Sequence, residues 1–165
     1  MKNFRVAIFL SILTSVVLLS RCEKDENNCS SCPEPITATP YDFKVPEGFP
    51  QPFIPEDNPM TVEGVELGRF LFYEKKLSAN HTMSCGSCHK QSTAFSDDFG
   101  KAKSTGIYGE ETRRNSMPLF NLAFQEFFFW DGRVSSLEEQ SLHPIRDPIE
   151  FANSVDSVVA RLRKD

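Results

Sequence analysis

Cysteines at 85 and 88 with a histidine at 89 make Cys-Gly-Ser-Cys-His: two thiols one helical turn apart and an imidazole directly after them. Those residue types at that spacing are the attachment pattern of a c-type haem. On one turn both thiols reach the two vinyl groups of one porphyrin and form thioethers, and His89 turns its ring to the iron. Cys-x-x-Cys alone also describes a redox dithiol or half a zinc site. No second ligand pair follows and the chain carries an export leader, which disfavours zinc; a disulfide or dithiol is the remaining alternative. His89 is expected to donate its other ring N–H to a carbonyl or carboxylate, fixing the tautomer. Cys29 and Cys32 repeat the spacing, but Pro33 stands where the histidine would be, so that pair reads as a local disulfide.

These groups need elements to hold them. Thr61 caps a helix expected to run to about residue 76, with Val62, Val65, Arg69, Phe72 and Tyr73 at helical spacing and Gly68 permitting a close approach. Residues 77–80 end it and hand over to the haem motif. From 91 to 114 the chain is polar, with Gly100, Gly106 and Gly109, and reads as a long loop. Residues 119–130 are very apolar and suit a short helix or extended segment against the porphyrin. Ser135 or Ser136 caps a short helix over 137–142, stopped by Pro144. A last helix starts near Asn153 or Ser154, with Val155, Val158, Val159 and Leu162 on one face and cationic Arg161, Arg163 and Lys164 at its end. The fold class expected is mainly α: a cytochrome c-like haem domain with long irregular loops and a Pro-rich N-terminal tether.

The chain has 165 residues, 39% of them hydrophobic, including 15 Phe, enough for one modest core. Its formal net charge of −5 argues against nucleic acid and offers no broad basic face to an anionic membrane. Lys2 and Arg5 precede an uncharged apolar stretch over 6–20, too short for a comfortable membrane span and suited to a signal sequence. It runs into Cys22 and an acidic, polar stretch, which resembles a bacterial lipoprotein site; Arg21 departs from the small residue usual there. Lipidation of Cys22, export, and a lipid-anchored periplasmic location follow as expectations, with an uncleaved anchor or ordinary signal cleavage as alternatives. The expected organisation is a signal peptide over 1–21, a tether over 22–60 and a haem domain over 61–165.

Beyond the pentapeptide, several ordered motifs carry a resemblance. They are Leu67-Gly68-Arg69-Phe70-Leu71-Phe72, Leu77-Ser78-Ala79-Asn80, Met83-Ser84 before the cysteines, Phe95-Ser96-Asp97, and Arg114-Asn115-Ser116-Met117-Pro118. Phe129-Trp130-Asp131-Gly132-Arg133, Leu137-Glu138-Glu139-Gln140 and Pro148-Ile149-Glu150 complete the set. Over about 61–152 the chain resembles the bacterial di-haem cytochrome c peroxidases, matching their N-terminal, peroxidatic haem domain. Such enzymes carry a second haem domain that receives electrons. This sequence has no second Cys-x-x-Cys-His, so it is read as a truncated form of such a protein, with a single-haem relative as the alternative. A related enzyme that matures methylamine dehydrogenase shares the architecture, so oxidation of a protein partner stays open.

The resemblance implies roles residue by residue. Glu150 matches the distal glutamate, a carboxylate that carries a proton between the two oxygens of peroxide. Gln140, ten residues earlier, matches a pocket glutamine able to hydrogen-bond peroxide or water but not to act as a base. Trp130 falls between the two haems, as an electron-transfer residue or a buried aromatic. Asn115 matches a position that helps bind calcium at the domain interface, with its other ligands in the second domain. Arg114 and Arg133 are candidates for the haem propionates or for solvent. No histidine lies between His89 and His143, so the loop over 97–114 cannot supply a sixth iron ligand. His81 and His143 are expected in solvent, and Met117 is a weaker ligand candidate or a packing residue. The implied activity is reduction of hydrogen peroxide to water with one haem c and electrons from a cytochrome c or cupredoxin, a homodimer being open to the full-length protein. The alternative is a single-haem electron carrier or an inactive haem-binding fragment.

Overall fold

A computed structural model describes residues 38–164, so the leader, Cys22, Cys29, Cys32 and the first part of the tether lie outside the described residues. Four α-helices and three short 3-10 turns carry the fold, and among the described residues there is no sheet, only isolated antiparallel bridges. The helices are α1 (Val62–Tyr73), α2 (Cys85–Cys88), α3 (Leu137–Arg146) and α4 (Val155–Leu162). Among the described residues no helix is long and apolar enough to cross a membrane.

Each long helix begins on a hydroxyl that satisfies an otherwise orphaned backbone N–H. Thr61 accepts from Gly64 N–H at 3.0 Å, Ser136 from Glu139 at 3.1 Å and Ser154 from Ser157 at 3.2 Å. Helix α1 stops at Tyr73, and a 3-10 turn over Lys75–Leu77 completes the stretch expected as one helix. Gly68 approaches nothing closely; the close approach is at Gly86, where an added Cβ would lie 2.7 Å from the Tyr73 ring. The tight contact between α1 and the cysteine turn therefore sits on the turn, not on the helix.

Pro144 does not stop α3, which continues to Arg146. Proline removes only its own N–H bond, and the end of the helix is closed from outside. Phe151, Ala152 and Asn153 return their N–H groups to the carbonyls of Pro144, Asp147 and Ile145 at 3.1, 2.8 and 2.9 Å. On α4, Val158 is buried, but Val159 is 40% exposed and leaves the apolar face assigned to it from periodicity. Arg161 does not simply face solvent at a helix end: its guanidinium donates to the carbonyls of Lys76 and Ser78 at 3.1 and 2.9 Å, and to Ala79 at 3.4 Å.

The core is small. Leu77, Ile107, Phe151 and Val158 are buried together, with Met83, Cys85, Ile145 and Leu162 packed against them. This cluster lies between the cysteine turn and the α3–α4 connection, which it joins. The described part of the proline-rich segment has no regular element. It turns back on itself, with Tyr41 N–H bonded to Met60 C=O at 3.0 Å, and lays Phe49 on Phe124 at 5.0 Å between ring centroids.

Candidate functional site

The cysteine turn is built as its sequence suggests. Ser84 precedes it in extended backbone, and its N–H donates to Ser87 Oγ at 3.0 Å. Cys85 and Cys88 are free thiols, and burial pushes both up to about 11, with the negative charge of Glu150 adding to each. A redox dithiol works through a lowered thiol pKa, so this environment opposes that reading and keeps both groups as thiols. The shared influence also locates Glu150: its carboxyl is within electrostatic reach of both cysteines, and its neighbour Phe151 shares the core with Cys85.

His89 closes the turn. Its Nδ1 lies 2.9 Å from the Phe95 carbonyl, which makes Nδ1 the protonated nitrogen and leaves Nε2 with its lone pair. Burial lowers the ring's pKa, against the Phe95 and Met117 backbones that favour a charged ring. Holding the Phe95 carbonyl in place takes two consecutive left-handed residues, Ala94 and Phe95 at φ 56° and 57°. The loop is stapled at its base by Lys90 and Ser96 backbones and by Lys90 Nζ donating to Asp97 at 3.0 Å. Asp97 is 5% exposed; burial alone would raise its pKa, but the Asp98 N–H, Lys90 and Ser104 hold it below the usual range.

Glu150 stands in the connection between α3 and α4. Asp147 Oδ1 accepts from the backbone N–H groups of Ile149 and Glu150 at 2.8 and 3.2 Å, fixing the turn. From the other side, Ile107 N–H donates to the carbonyls of Ile149 and Glu150 at 3.2 and 3.3 Å. Gly106 permits that approach, because a Cβ there would run into the Ile149 carbonyl. Burial, then the Asp147 carboxylate, raise Glu150 to about 7, with Arg133 pulling the other way. A carboxyl poised there can give or take a proton at neutral pH.

A cavity of about 200 Å³ opens beside it, lined by Phe129, Arg133, His143, Arg146, Asp147 and Glu150. Arg133 Cζ sits 3.3 Å over the Phe129 ring and its guanidinium donates to Asp131 at 2.8 Å. Phe129 adopts φ 64°, a left-handed conformation that strains so bulky a residue. Arg114 also pairs with Asp131, at 3.5 Å, so both arginines proposed for propionates are engaged with that carboxylate.

The remaining candidates are placed as follows. Gln140 lies one turn before His143 on α3 and is not among the cavity-lining residues; its Oε1 is buried and has no hydrogen-bond partner among the described residues. Trp130 is 61% exposed, and its indole N–H donates to the Asn115 carbonyl at 3.0 Å. The Asn115 side-chain oxygen accepts from Ser104 and Ser116 at 3.2 and 3.0 Å. His81 is exposed, and the His143 side chain is 43% exposed with its ring edge-on to Phe129, in keeping with the expected solvent position. Sequence reasoning missed the lining role of Phe129, His143, Arg146 and Asp147, and the anchoring of Asp97. Only the aspartate three residues before Glu150, an Asx-turn signal, could have pointed to part of it.

A covalently held haem fits these residues. The donor set supplies two protonated thiols on one turn and an imidazole whose Nδ1 is held by the Phe95 carbonyl, leaving Nε2 as the lone-pair nitrogen. Gln140 Oε1 is an orphaned buried acceptor of the kind a bound molecule or water satisfies.

Residues 62–165 match the family model described as di-haem cytochrome c peroxidase. The methylamine utilization protein MauG of Methylorubrum extorquens is 40% identical over 121 residues, covering 73% of this chain and 33% of that protein. The cytochrome c peroxidase Ccp of Escherichia coli is 37% identical over 113 residues, covering 68% of this chain and 24% of that protein. Among solved structures, a MauG-like protein associated with microbial copper homeostasis superposes with a TM-score of 0.68 at 40% identity, over 76% of this chain and 37% of that one. The chain thus spans 24–33% of the length of these two curated relatives.

Proposed function

Because the chain belongs to the di-haem cytochrome c peroxidase family, we propose that it carries a haem c on Cys85, Cys88 and His89 and supports reduction of hydrogen peroxide to water. Electrons come from a small donor protein, a cytochrome c or a cupredoxin. The haem, when bound, supplies the iron that exchanges those electrons with peroxide. Everything else in the reading is done by the chain's own side chains.

The observation that carries it is the carboxyl of Glu150, raised to about 7 and within electrostatic reach of the cysteine pair. Heterolysis of the O–O bond needs a proton removed from one oxygen and delivered to the other. Glu150 is suited to hold that proton, since near neutral pH it is populated in both forms. Gln140 offers an unpaired buried oxygen to a peroxide or water O–H and orients it without exchanging protons. The Phe95 carbonyl keeps the His89 Nδ1 protonated, which presents Nε2 as a neutral ligand. Trp130 is proposed as an electron-transfer residue and Asn115 as a calcium contributor on family resemblance. The exported, lipid-anchored location at Cys22, the signal and tether boundaries, and a dimer of the full-length protein rest on the sequence pattern.

Steady-state peroxide consumption with reduced cytochrome c tests the reading, repeated on Glu150→Ala. A hundredfold loss is expected, the scale of a lost general acid–base. An unchanged rate removes Glu150 from the mechanism, and no turnover by the haem-loaded parent protein favours the electron-carrier alternative. No histidine stands between His89 and His143, which supports an open sixth position. A clean bis-histidine low-spin EPR spectrum of the oxidised protein refutes that part.

A further inference from the structure

The cavity beside Glu150 has a second titratable side chain on its wall that the chemistry above does not use. His143 stands on α3 one turn before Arg146, and lines the same space of about 200 Å³ as Glu150. Its ring is oriented: the Phe129 ring meets it edge-on, at 5.2 Å and 89°. On the solvent side its Nε2 is 3.8 Å from Glu139, one turn back on the same helix. The His143 side chain is 43% exposed and that of Glu139 57%. One cavity therefore connects a solvent-facing imidazole to a desolvated carboxyl.

Peroxide reduction needs such a connection. Each H2O2 takes up two electrons and two protons and leaves two waters. The donor protein supplies the electrons; the protons come from solvent and reach a carboxyl that is half-buried on the wall of this cavity. Glu150 can deliver one proton and must then be reloaded. The cavity has room for several waters, and its wall offers them polar partners in Arg133, Arg146, Asp147 and Glu150.

We propose that His143 is the proton-entry residue of this site, taking protons from solvent beside Glu139 and passing them through cavity water to Glu150. In each transfer an N–H bond of the imidazolium breaks and an O–H bond forms on water, which gives its own proton to a Glu150 oxygen. The charged groups that face His143 are Glu139 on its own helix and Arg133, Arg146, Asp147 and Glu150 around the cavity. The proposal rests on the peroxide-reducing reading.

Two measurements test it on the haem-loaded protein. In His143→Ala, kcat is expected to fall roughly a hundredfold, the low end for a lost proton-transfer group. KM for peroxide stays unchanged, and added phosphate, a small mobile acid, restores the rate as its concentration rises. An unchanged kcat, or a loss that phosphate does not restore, overturns the proposal. Independently of turnover, NMR titration of the His143 ring is compared between the parent and Glu150→Gln. A shifted midpoint supports the link across the cavity, and an identical one overturns it. If the parent protein does not consume peroxide, the functional reading fails, and the titration still decides the link.

Discussion

The fold that positions Glu150 also disfavours its charged form, and this has a cost that pH reveals. Its folded pKa is raised from 4.5 to about 7, so between those values the folded chain binds more protons than the unfolded one. Stability contributed by this group is complete below the unfolded pKa and is lost as pH rises through the folded value. The loss is on the order of 3 kcal/mol. Thermal unfolding from pH 4 to pH 8 is expected to show a falling Tm, and Glu150→Gln is expected to remove that part of the slope. Arg133 acts in the opposite sense, favouring the Glu150 carboxylate. Arg133→Ala should therefore move the Glu150 midpoint upward by NMR and shift the basic limb of the activity profile the same way. Legibility at this scale follows chemistry. Cys85, Cys88 and His89 announce themselves because covalent attachment needs that spacing. Glu150 was legible only through the company of Pro148 and Ile149. The stack of Arg133 on Phe129 was not, because it depends on a left-handed residue that no propensity forecasts for phenylalanine.

The elements that aim these residues are short, and they lean on contacts from distant parts of the chain. The approach of the 104–107 loop to the Glu150 turn is the most demanding of these, since it brings Gly106 against the Ile149 carbonyl. Gly106→Ala forces one backbone away from the other and is expected to destabilise the domain by about 3 kcal/mol, read as a lower denaturant midpoint. Loss of the Ile107 hydrogen bonds should accompany it as faster amide exchange at that residue. Arg161→Met leaves three backbone carbonyls beside the cysteine turn without that donor, with an expected cost of about 2 kcal/mol. Helix starts were readable from Thr61, Ser136 and Ser154, because a hydroxyl cap is a local device. The end of α3 was not, since residues 151–153 close it from beyond Pro144. Gly86 likewise took the close approach assigned to Gly68, a distinction that helical periodicity does not contain.

At the scale of the whole domain, the described residues bury little and show much. Leu67, Phe70 and Tyr73 recur three apart along α1 and are exposed, Phe70 by 70%, while Phe53 and Phe99 are more exposed still. A surface of that kind favours association. Sedimentation velocity is expected to show concentration-dependent self-association, weakened by Phe70→Glu without a loss of Tm. An unchanged distribution of species in that variant would remove α1 from the contact. The helical class was legible at this scale because amphipathic spacing and caps agreed. The exposure was not, since the same stripes would be read as core in any compact chain.

Apart from the Asp147 carboxylate, the turn that carries Glu150 is fastened through peptide groups: the Ile107 N–H on one side, and the amides of 151–153 returning to α3 on the other. Peptide groups are common to every residue type. Position 150 therefore works as a socket, in which the fold determines where a side chain stands and leaves open what it is. Descent can exchange a proton carrier there for an inert residue at little structural penalty, and a catalyst can become a carrier by one substitution. Within a lineage built on this frame, the residue found at that address would tell more about the reaction than the frame itself.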